Sequence, residues 1–358
     1  MNFKDLSEKY MDKINEEMEN FLVKETSEIE TSEDFVRYFC SFILDYSKGG
    51  KRLRPLSLLL SYFGAGGKED KILLPGVALE LHHTYSLILD DIMDEDYMRR
   101  GKPNINKMLT DFFENRIAEE KYSGSMFGKK SQRFIVSFAV MLGNITNILS
   151  KKLILSSDFP DAEKIQVLKI IEDADLNIYS GQMMDMLMEQ KSSVSEEYYL
   201  EMIKLKTAVL FGCAFECGAV LSGAPESTVM QLKEFGILSA LSFQIQDDIL
   251  DLEEGKGHEL GSDIRKGKKT LIYLKMMEKA FDNDKMIIKK IHGKNNASSD
   301  DIKEMISVMR KTGAIDYCTR LAEEKNKEAK EILSKIKVDE IYKEAFQGFA
   351  DCLIHRRV

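Results

Sequence analysis

Residues 80–103 read ELHHTYSLILDDIMDEDYMRRGKP, and residues 243–251 read FQIQDDILD. Both stretches carry the acidic motif DDxxD within apolar sequence of helical period. Positions i and i+4 of an α-helix lie on the same face, so Asp90 and Asp94 point the same way, and the second motif repeats this arrangement. Two carboxylates one turn apart on an apolar helix repel each other and resist burial. Each motif therefore predicts a bound cation.

The chemistry of these ligands indicates which cation. Carboxylate oxygens select Mg²⁺ rather than zinc or copper. Mg²⁺ typically takes one or two protein carboxylates together with phosphate oxygens of a substrate. The duplicated motif thus predicts a magnesium site that grips a phosphorylated substrate. Two solvated acidic helix faces are the alternative interpretation, which the apolar residues around both motifs disfavour.

Basic residues gather around the first motif. GGKRLRP at residues 49–55 places three cations at a helix junction ahead of it, and Arg99 and Arg100 follow it. The planar guanidinium of arginine binds phosphate oxygens in pairs, whereas lysine acts as a point charge. Surface salt bridges would explain any one of these groups. They do not explain why the groups surround an acidic motif that needs a metal.

The rest of the sequence predicts an all-α fold. Apolar residues recur every three or four positions over long stretches, and alternating strand patterns with hairpin turns are absent. Residues 113–134 predict an irregular exposed loop. Residues 293–300 predict a second loop, where Ser298 or Ser299 caps the next helix. Neither loop resembles a domain linker, so we expect one domain over residues 1–358.

Composition argues against several classes of protein. The chain has 358 residues with 51 basic and 60 acidic side chains, a net charge of −9 that disfavours nucleic-acid binding. Its five scattered cysteines lack metal-site spacing and fit a reducing cytosol. The acidic N-terminus differs from a secretion signal, and no uninterrupted apolar run reaches the roughly 20 residues of a membrane span. We therefore expect a cytoplasmic protein without a membrane span.

Five motifs together resemble the trans-isoprenyl diphosphate synthases, or polyprenyl synthetases, a family that includes farnesyl and geranylgeranyl diphosphate synthases. They are GGKRLRP, ELHHTYSLILDDIMDEDYMRRGKP, YSGQMMDM, KLKTAVLF and FQIQDDILD, and they follow the family's order and approximate spacing from about residue 48 to about residue 270. The resemblance implies an antiparallel helical bundle of the isoprenoid synthase (class I terpenoid synthase) type, with both acidic motifs at the mouth of a deep central pocket. It also implies a homodimer.

The resemblance carries roles to individual positions of this chain. The implied ligands of three Mg²⁺ ions are Asp90, Asp91, Asp94, Asp247, Asp248 and Asp251. The implied contacts of the allylic diphosphate are Arg99, Lys206, Lys268 and Gln244. The implied isopentenyl diphosphate site is Lys51, Arg54, His83 and Arg100. Thr207 and Gln182 match positions beside the developing cation, and Tyr85 and Ser86 match positions that limit product length.

Two of these assignments have a second interpretation. A single histidine on an apolar helix is more often a core residue than a ligand, but His83 lies seven residues before Asp90, two turns along the same face. Lys206 would lie on a solvated helix face if it had no role in a site. The adjoining Thr207 and the match to the family favour the site role for Lys206.

The implied activity is that of a prenyltransferase. An allylic diphosphate of C5 to C15 ionises, condenses with isopentenyl diphosphate and loses a proton, with release of diphosphate. Tyr85 beside Ser86 predicts geranylgeranyl diphosphate (C20) as the product, with farnesyl diphosphate next. A class I terpene cyclase usually replaces the second DDxxD and lacks GGKRLRP. A non-catalytic subunit of a heteromeric synthase usually lacks one acidic motif, whereas both are complete here.

Overall fold

The computed structural model describes residues 1–29, 34–254 and 260–355. It is 77% helical, which confirms the expected all-α class. Within these ranges the strands are limited to β1 (Met98–Arg99) and β2 (Lys102–Pro103), which pair antiparallel. All five cysteines are buried thiols.

The chain forms two compact units and passes between them several times. The first unit comprises Asp5–Leu59 and Lys68–Leu168. The second comprises Met1–Lys4, Leu60–Gly67 and Lys169–Val358. The expectation of one domain over the whole chain remains a prediction.

Among the residues that the structure describes, six helices lie wholly or mainly in the first unit. They are α1 (Phe3–Ser27), α2 (Asp34–Ser47), α3 (Leu53–Gly64), α4 (Leu73–Met93), α5 (Ile105–Arg116) and α6 (Lys130–Ser156). α4 and α6 pack along each other. Gly143 of α6 lies against α4, and a Cβ there would come within 3.1 Å of Leu89 Cδ2. This close packing holds the helix that carries the first acidic motif.

α7 (Asp161–Gln190) begins in the first unit and continues into the second. The other helices of the second unit are α8 (Glu196–Ile203), the π-helical segment Lys204–Ala208, α9 (Val209–Leu221), α10 (Glu226–Leu250), α11 (Ser262–Lys266), α12 (Leu271–Lys279), α13 (Asp282–Ile291), α14 (Ser299–Lys311), α15 (Ala314–Leu333) and α16 (Glu340–His355). α10 carries the second acidic motif and packs against α9 and α15. Fully buried rings, among them Phe215, Phe235 and Phe349, fill its surroundings.

Two local predictions can be compared with the structure. Ser298 caps α14, as expected, because its hydroxyl accepts a hydrogen bond from the Asp301 N–H at 3.2 Å while the Asp301 carboxylate accepts one from the Ser298 N–H at 3.0 Å. Residues 117–129 connect α5 to α6 without a helix, and an isolated bridge pairs Lys121 with Lys129. This connection lies within the stretch predicted as an irregular loop.

Two helical stretches, Asp70–Met93 and Lys130–Ser156, are long and apolar enough to cross a membrane by length and composition alone. Core helices of soluble proteins pass the same test, and 72% of the apolar window of the first is buried inside the protein. The buried share of the second is 33%. The expected absence of a membrane span therefore remains a prediction.

Candidate active site

The candidate residues fall into two groups, one in each unit. In the first unit, α4 ends at Met93 and Asp94 is its C-cap, so the first DDxxD motif occupies the last turn of the helix. The C-terminal end of a helix carries partial negative charge, which favours cations and disfavours carboxylates. An acidic motif at this end strengthens the requirement for a positive partner.

Arg99 supplies one such partner to the first two aspartates of the motif. Asp91 is fully buried, and its Oδ1 accepts a hydrogen bond from Arg99 Nε at 2.7 Å. Arg99 Nη2 lies 3.0 Å from Asp90 Oδ2. The other oxygen of Asp91 accepts a hydrogen bond from the Tyr46 hydroxyl at 2.7 Å. Burial raises the pKa of the Asp91 carboxyl, although Arg99 and Tyr46 act in the opposite direction.

Arg100 lies in the tight turn between β1 and β2 with a φ of 54°, in the left-handed region that L-residues seldom adopt. Its guanidinium approaches the backbone at Gly49 and Gly50, and Arg100 Nη1 lies 3.4 Å from the Gly49 carbonyl oxygen. A Cβ at Gly50 would overlap this guanidinium. Gly50 therefore leaves room for Arg100, which follows the acidic motif in the sequence while the glycine precedes it.

A cleft of about 110 Å³ lies between the GGKRLRP turn and the β1–β2 hairpin. Its lining includes the basic residues Lys48, Arg99, Arg100 and Lys102. Among the described residues, the acidic side chains in its lining are Asp45 and Glu80. An excess of cations around a cleft of this size suits a small anion such as a diphosphate. The cleft thus brings together Arg99 and Arg100, which the resemblance assigned to two different diphosphates.

The other residues predicted for isopentenyl diphosphate lie nearby in different environments. Lys51 is exposed. Burial lowers the pKa of Arg54 to about 10, which leaves it charged at neutral pH. His83 is 7% exposed, and its Nδ1 has no hydrogen-bond partner within the described residues. Burial lowers the pKa of His83 well below its usual value, and the nearby charge of Arg54 lowers it further. His83 is therefore neutral at pH 7.

His83 predicts a specific loss of stability in acid. The unfolded chain protonates this histidine below a pH of about 6.5, whereas the folded protein keeps it neutral, so the unfolded state binds more protons and stability falls as pH drops. We expect His83→Gln to reduce this loss by about 2 kcal/mol between pH 7 and pH 5, because stability falls by about 1.4 kcal/mol per pH unit only below the unfolded pKa of about 6.5. Urea unfolding at several pH values measures it. Ser86→Ala, which removes no titratable group, should keep the wild-type slope.

The two residues predicted to limit product length are buried to different extents. Tyr85 is 2% exposed, and its ring packs edge-on against His82 at a centroid distance of 5.2 Å. Ser86 is half-buried, and its hydroxyl donates a hydrogen bond to the His83 carbonyl at 2.8 Å. Tyr85 is therefore a packed part of α4, about one and a half turns before Asp90.

In the second unit, Lys206 lies in the π-helical segment that follows α8. Such segments are frequent at functional sites. Lys206 Nζ lies 2.7 Å from Asp185 Oδ2, and Lys268 Nζ lies 3.8 Å from the same oxygen. Gly181 makes this approach possible, since a Cβ there would overlap the Lys206 backbone. The structure thus brings the two predicted lysines together on a carboxylate that we did not predict.

Three further residues surround this pair of lysines. Lys269 donates hydrogen bonds to the carbonyls of Met188 and Glu189 at 2.8 and 3.1 Å, at the end of α7, which ties the adjoining Lys268 to that helix. Gln182 is 6% exposed, and its Nε2 has no hydrogen-bond partner within the described part of the chain. Thr207 is half-buried.

The second acidic motif also lies at the end of a helix. α10 ends at Leu250 with Asp251 as its C-cap. The two oxygens of Asp251 accept hydrogen bonds from the N–H groups of Ser262 and Asp263, each at 3.1 Å. Burial, together with the neighbouring Asp251 charge, raises the pKa of Asp263 to about 6. The sequence did not identify Asp263 as a site residue.

Asp248, the middle aspartate of this motif, is 8% exposed. One of its oxygens accepts a hydrogen bond from the Tyr199 hydroxyl, and the other accepts one from Gln244 Nε2 at 3.2 Å. Burial and the charge of Asp263 raise the pKa of Asp248 to about 8. Gln244, predicted to contact the substrate, here supports the acidic motif.

These residues fit a cation that substrate helps to bind. Within the described ranges, no set of three or more acidic, histidine or cysteine side chains is arranged as a ready-made metal site. Mg²⁺ commonly uses one or two carboxylates and completes its shell with water and phosphate oxygens, which suits the outer aspartates of each motif. The crowding of Asp248, Asp251 and Asp263 also favours a cation, since like charges raise one another's pKa.

Several residues of these two groups escaped sequence reasoning, namely Tyr46 in the first unit and Asp185, Tyr199 and Asp263 in the second. Asp185 left a signal, because it lies within YSGQMMDM and three residues after Gln182 on α7. The two tyrosines left none, since each precedes its acidic motif by more than forty residues.

The comparison with solved structures concerns the fold. A geranylgeranyl pyrophosphate synthase from Corynebacterium glutamicum, complexed with isoprenyl diphosphate and magnesium, superposes with a TM-score of 0.88 over 100% of both chains at 21% identity. At that identity the likeness bears on the fold alone. The isoprenoid synthase type of helical fold is thereby confirmed.

Sequence comparison identifies the family. The family model described as polyprenyl synthetase matches residues 37–309. A geranylgeranyl diphosphate synthase of Sulfolobus acidocaldarius is 31% identical over 318 residues, which cover 87% of this chain and 88% of that enzyme. A geranylfarnesyl diphosphate synthase of Aeropyrum pernix is 32% identical over 317 residues, with 86% and 91% covered. With a helical fold, two acidic motifs at helix ends and a cation-lined cleft, this chain belongs to the polyprenyl synthetase family.

Proposed function

We propose that the protein is a trans-prenyltransferase that joins an allylic diphosphate of C5 to C15 to isopentenyl diphosphate and releases diphosphate. The observation that carries this proposal is the cation-lined cleft beside an acidic motif at the end of α4. Family membership and the names of the relatives support it. Both acidic motifs are complete, which favours this activity over a terpene cyclase or a non-catalytic subunit.

Each group of residues has a proposed role. The isopentenyl diphosphate is bound by Lys51, Arg54, His83 and Arg100. The allylic diphosphate is bound by Arg99, Lys206, Lys268 and Gln244. Donors held around a leaving group stabilise the transition state more than the ground state, because charge grows on the diphosphate as the C–O bond breaks. Thr207 and Gln182 offer a hydroxyl and an amide beside the developing cation. The apolar face of α4 keeps water from that cation.

The acidic residues are proposed to hold Mg²⁺, three ions in all. The proposed set is Asp90, Asp91, Asp94, Asp247, Asp248 and Asp251. When bound, the metal neutralises the charge that develops on the leaving diphosphate. In the structure, Asp91, Asp248 and Asp251 already accept hydrogen bonds on both oxygens. We infer that the two middle aspartates of this set, Asp91 and Asp248, contribute mainly by holding the outer aspartates in position.

The proposed function is tested by incubating the protein with isopentenyl diphosphate and each of three allylic diphosphates, C5, C10 and C15. Product length is read by chromatography, with and without Mg²⁺. We expect longer prenyl diphosphates only when Mg²⁺ is present. A hydrocarbon formed from a single substrate would indicate a cyclase instead. A complete lack of turnover under all conditions would argue for a non-catalytic subunit.

Product length is proposed to be C20. Tyr85 supports this, as a bulky ring packed on α4 before the first acidic motif. A hydrophobic wall discriminates one small group by only about 1–3 kcal/mol, so minor products of neighbouring length are expected. The relative that makes geranylfarnesyl diphosphate, by its name, marks C25 as the competing assignment.

Removal of this ring should lengthen the product. We expect Tyr85→Ala to shift the main product by at least one C5 unit, because a side chain that blocks growth of the chain is replaced by a methyl group. Product distributions by mass spectrometry measure the shift. Tyr122→Ala, in the connection between α5 and α6, provides the matched control and should leave the distribution unchanged. An unaltered product in Tyr85→Ala would show that another residue sets the length.

We also propose that the protein is a cytoplasmic homodimer. Exposed apolar side chains on α6, namely Val140, Met141, Ile148 and Leu155, support an interface between copies. The buried thiols of all five cysteines support a reducing compartment.

A further inference from the structure

The middle aspartate of each acidic motif shares the same unusual environment. Asp91 is 0% exposed and Asp248 is 8% exposed, although both belong to motifs proposed to bind Mg²⁺. Each accepts a hydrogen bond from the hydroxyl of a tyrosine on another helix, Tyr46 of α2 and Tyr199 of α8. Each also accepts a second hydrogen bond from a nitrogen donor.

The two tyrosine–aspartate contacts are formed by different segments of the chain. Tyr46 lies 45 residues before Asp91, and Tyr199 lies 49 residues before Asp248. Tyr46 is half-buried at the edge of the basic cleft, whereas Tyr199 is buried in the apolar core of the second unit. The same hydroxyl–carboxylate contact forms in such different surroundings that similar local packing does not account for it. A common role at the two motifs does.

Helix geometry shows what such a contact would do. Successive residues of an α-helix are rotated by about 100° around its axis. When the middle aspartate points into the protein interior, the outer two aspartates therefore point away from the interior. Both motifs lie in the last turn of a helix, at the ends of α4 and α10, where helices fray most easily. A buried hydrogen bond in that turn fixes both its rotation and its helical conformation.

We propose that Tyr46 and Tyr199 are positioning residues, each anchoring the middle aspartate of one acidic motif so that the outer aspartates are held ready for Mg²⁺ and diphosphate. The inference rests on the proposed function, since it assumes that these motifs bind metal. Residues that orient metal ligands from behind typically contribute tenfold to a hundredfold in metal affinity. Neither tyrosine touches the substrate in this proposal.

The test removes one hydroxyl at a time. Tyr46→Phe and Tyr199→Phe are compared with two control variants, Tyr10→Phe in the first unit and Tyr317→Phe in the second. The control hydroxyls also donate to carboxylates, Asp70 at 3.0 Å and Glu196 at 2.7 Å, which lie outside the acidic motifs. All four variants therefore lose the same kind of contact. Circular dichroism and melting temperature without metal report on folding.

The main readout is binding of Mn²⁺, used in place of Mg²⁺, in the presence of inorganic diphosphate. Electron paramagnetic resonance of free Mn²⁺ gives the affinity without any turnover. We expect Tyr46→Phe and Tyr199→Phe each to weaken Mn²⁺ binding about tenfold or more, with both control variants within twofold of the wild type. The Mg²⁺ concentration that half-saturates activity should rise in the same two variants.

Three results would overturn the proposal. Wild-type Mn²⁺ affinity in folded Tyr46→Phe and Tyr199→Phe would exclude a positioning role. An equal loss of Mn²⁺ affinity in the control variants would show that the effect comes from general destabilisation of the protein. Absence of diphosphate-dependent Mn²⁺ binding in the wild type would instead refute the proposed function on which the inference rests. If Tyr199→Phe does not fold, Tyr46→Phe decides alone, because Tyr46 lies outside the fully buried core.

Discussion

Replacement of Asp90 by alanine is expected to lower the turnover number by a hundredfold to a thousandfold without unfolding the protein. The variant removes an outer carboxylate proposed to hold Mg²⁺, and the loss of one preorganised electrostatic contact at a developing charge typically has an effect of this size. Arg99, the partner of Asp90, keeps its hydrogen bond to Asp91 at 2.7 Å when the Asp90 carboxylate is removed, so the fold should persist. Asp247→Ala should behave in the same way. Steady-state kinetics at saturating Mg²⁺ measures both.

A matched control is available on α5. Asp111 pairs with Lys107 at 2.6 Å on the surface, with 47% of its side chain exposed. Asp111→Ala removes a carboxylate of the same type that lies outside both motifs, and surface pairs of this kind contribute only about 0–1 kcal/mol. Its turnover should match the wild type. Wild-type kinetics in Asp90→Ala or Asp247→Ala would contradict the assignment of the metal ligands.

The largest effect on stability is expected from Glu80→Gln. Glu80 Oε1 lies 2.7 Å from Arg52 Nη1, and the two side chains are 4% and 2% exposed. Arg52 also donates to the Ser47 carbonyl at 2.7 Å. Loss of one partner of a buried ion pair leaves an uncompensated charge in the protein interior, which costs about 3–5 kcal/mol. The free energy of unfolding in urea, measured at pH 7, should fall by that amount.

The control for this prediction removes both charges together. Arg52→Met combined with Glu80→Leu leaves no isolated charge, so it should recover most of the stability lost in Glu80→Gln. The surface variant Asp111→Ala should change the free energy of unfolding by less than about 1 kcal/mol. A loss below 1 kcal/mol in Glu80→Gln would mean that Arg52 is satisfied by its other contacts alone.

The buried ion pair with Glu80 gives Arg52 of GGKRLRP a structural role. By charge alone the three cations of GGKRLRP are alike, and the resemblance placed Lys51 and Arg54, but not Arg52, in the isopentenyl diphosphate site. In the structure, the Arg52 side chain is buried and forms an ion pair with Glu80. The Arg52 backbone has a φ of 49°. Lys51 and Arg54 remain as the proposed ligands of isopentenyl diphosphate. Charge and spacing in sequence do not reveal such a division, because it depends on the direction each side chain takes.

The sequence by itself determined the all-α class, the two acidic motifs and the family to which the chain belongs. These depend on helical period and on the spacing of carboxylates along one helix, which are local properties of the chain. Only the tertiary structure decided that Tyr46 reaches Asp91, that Tyr199 reaches Asp248, and that Lys206 and Lys268 meet at Asp185. These contacts join helices that are distant in sequence, and they exist because packing brings particular faces together. No local pattern encodes that choice, because it is made by the burial of many side chains at once.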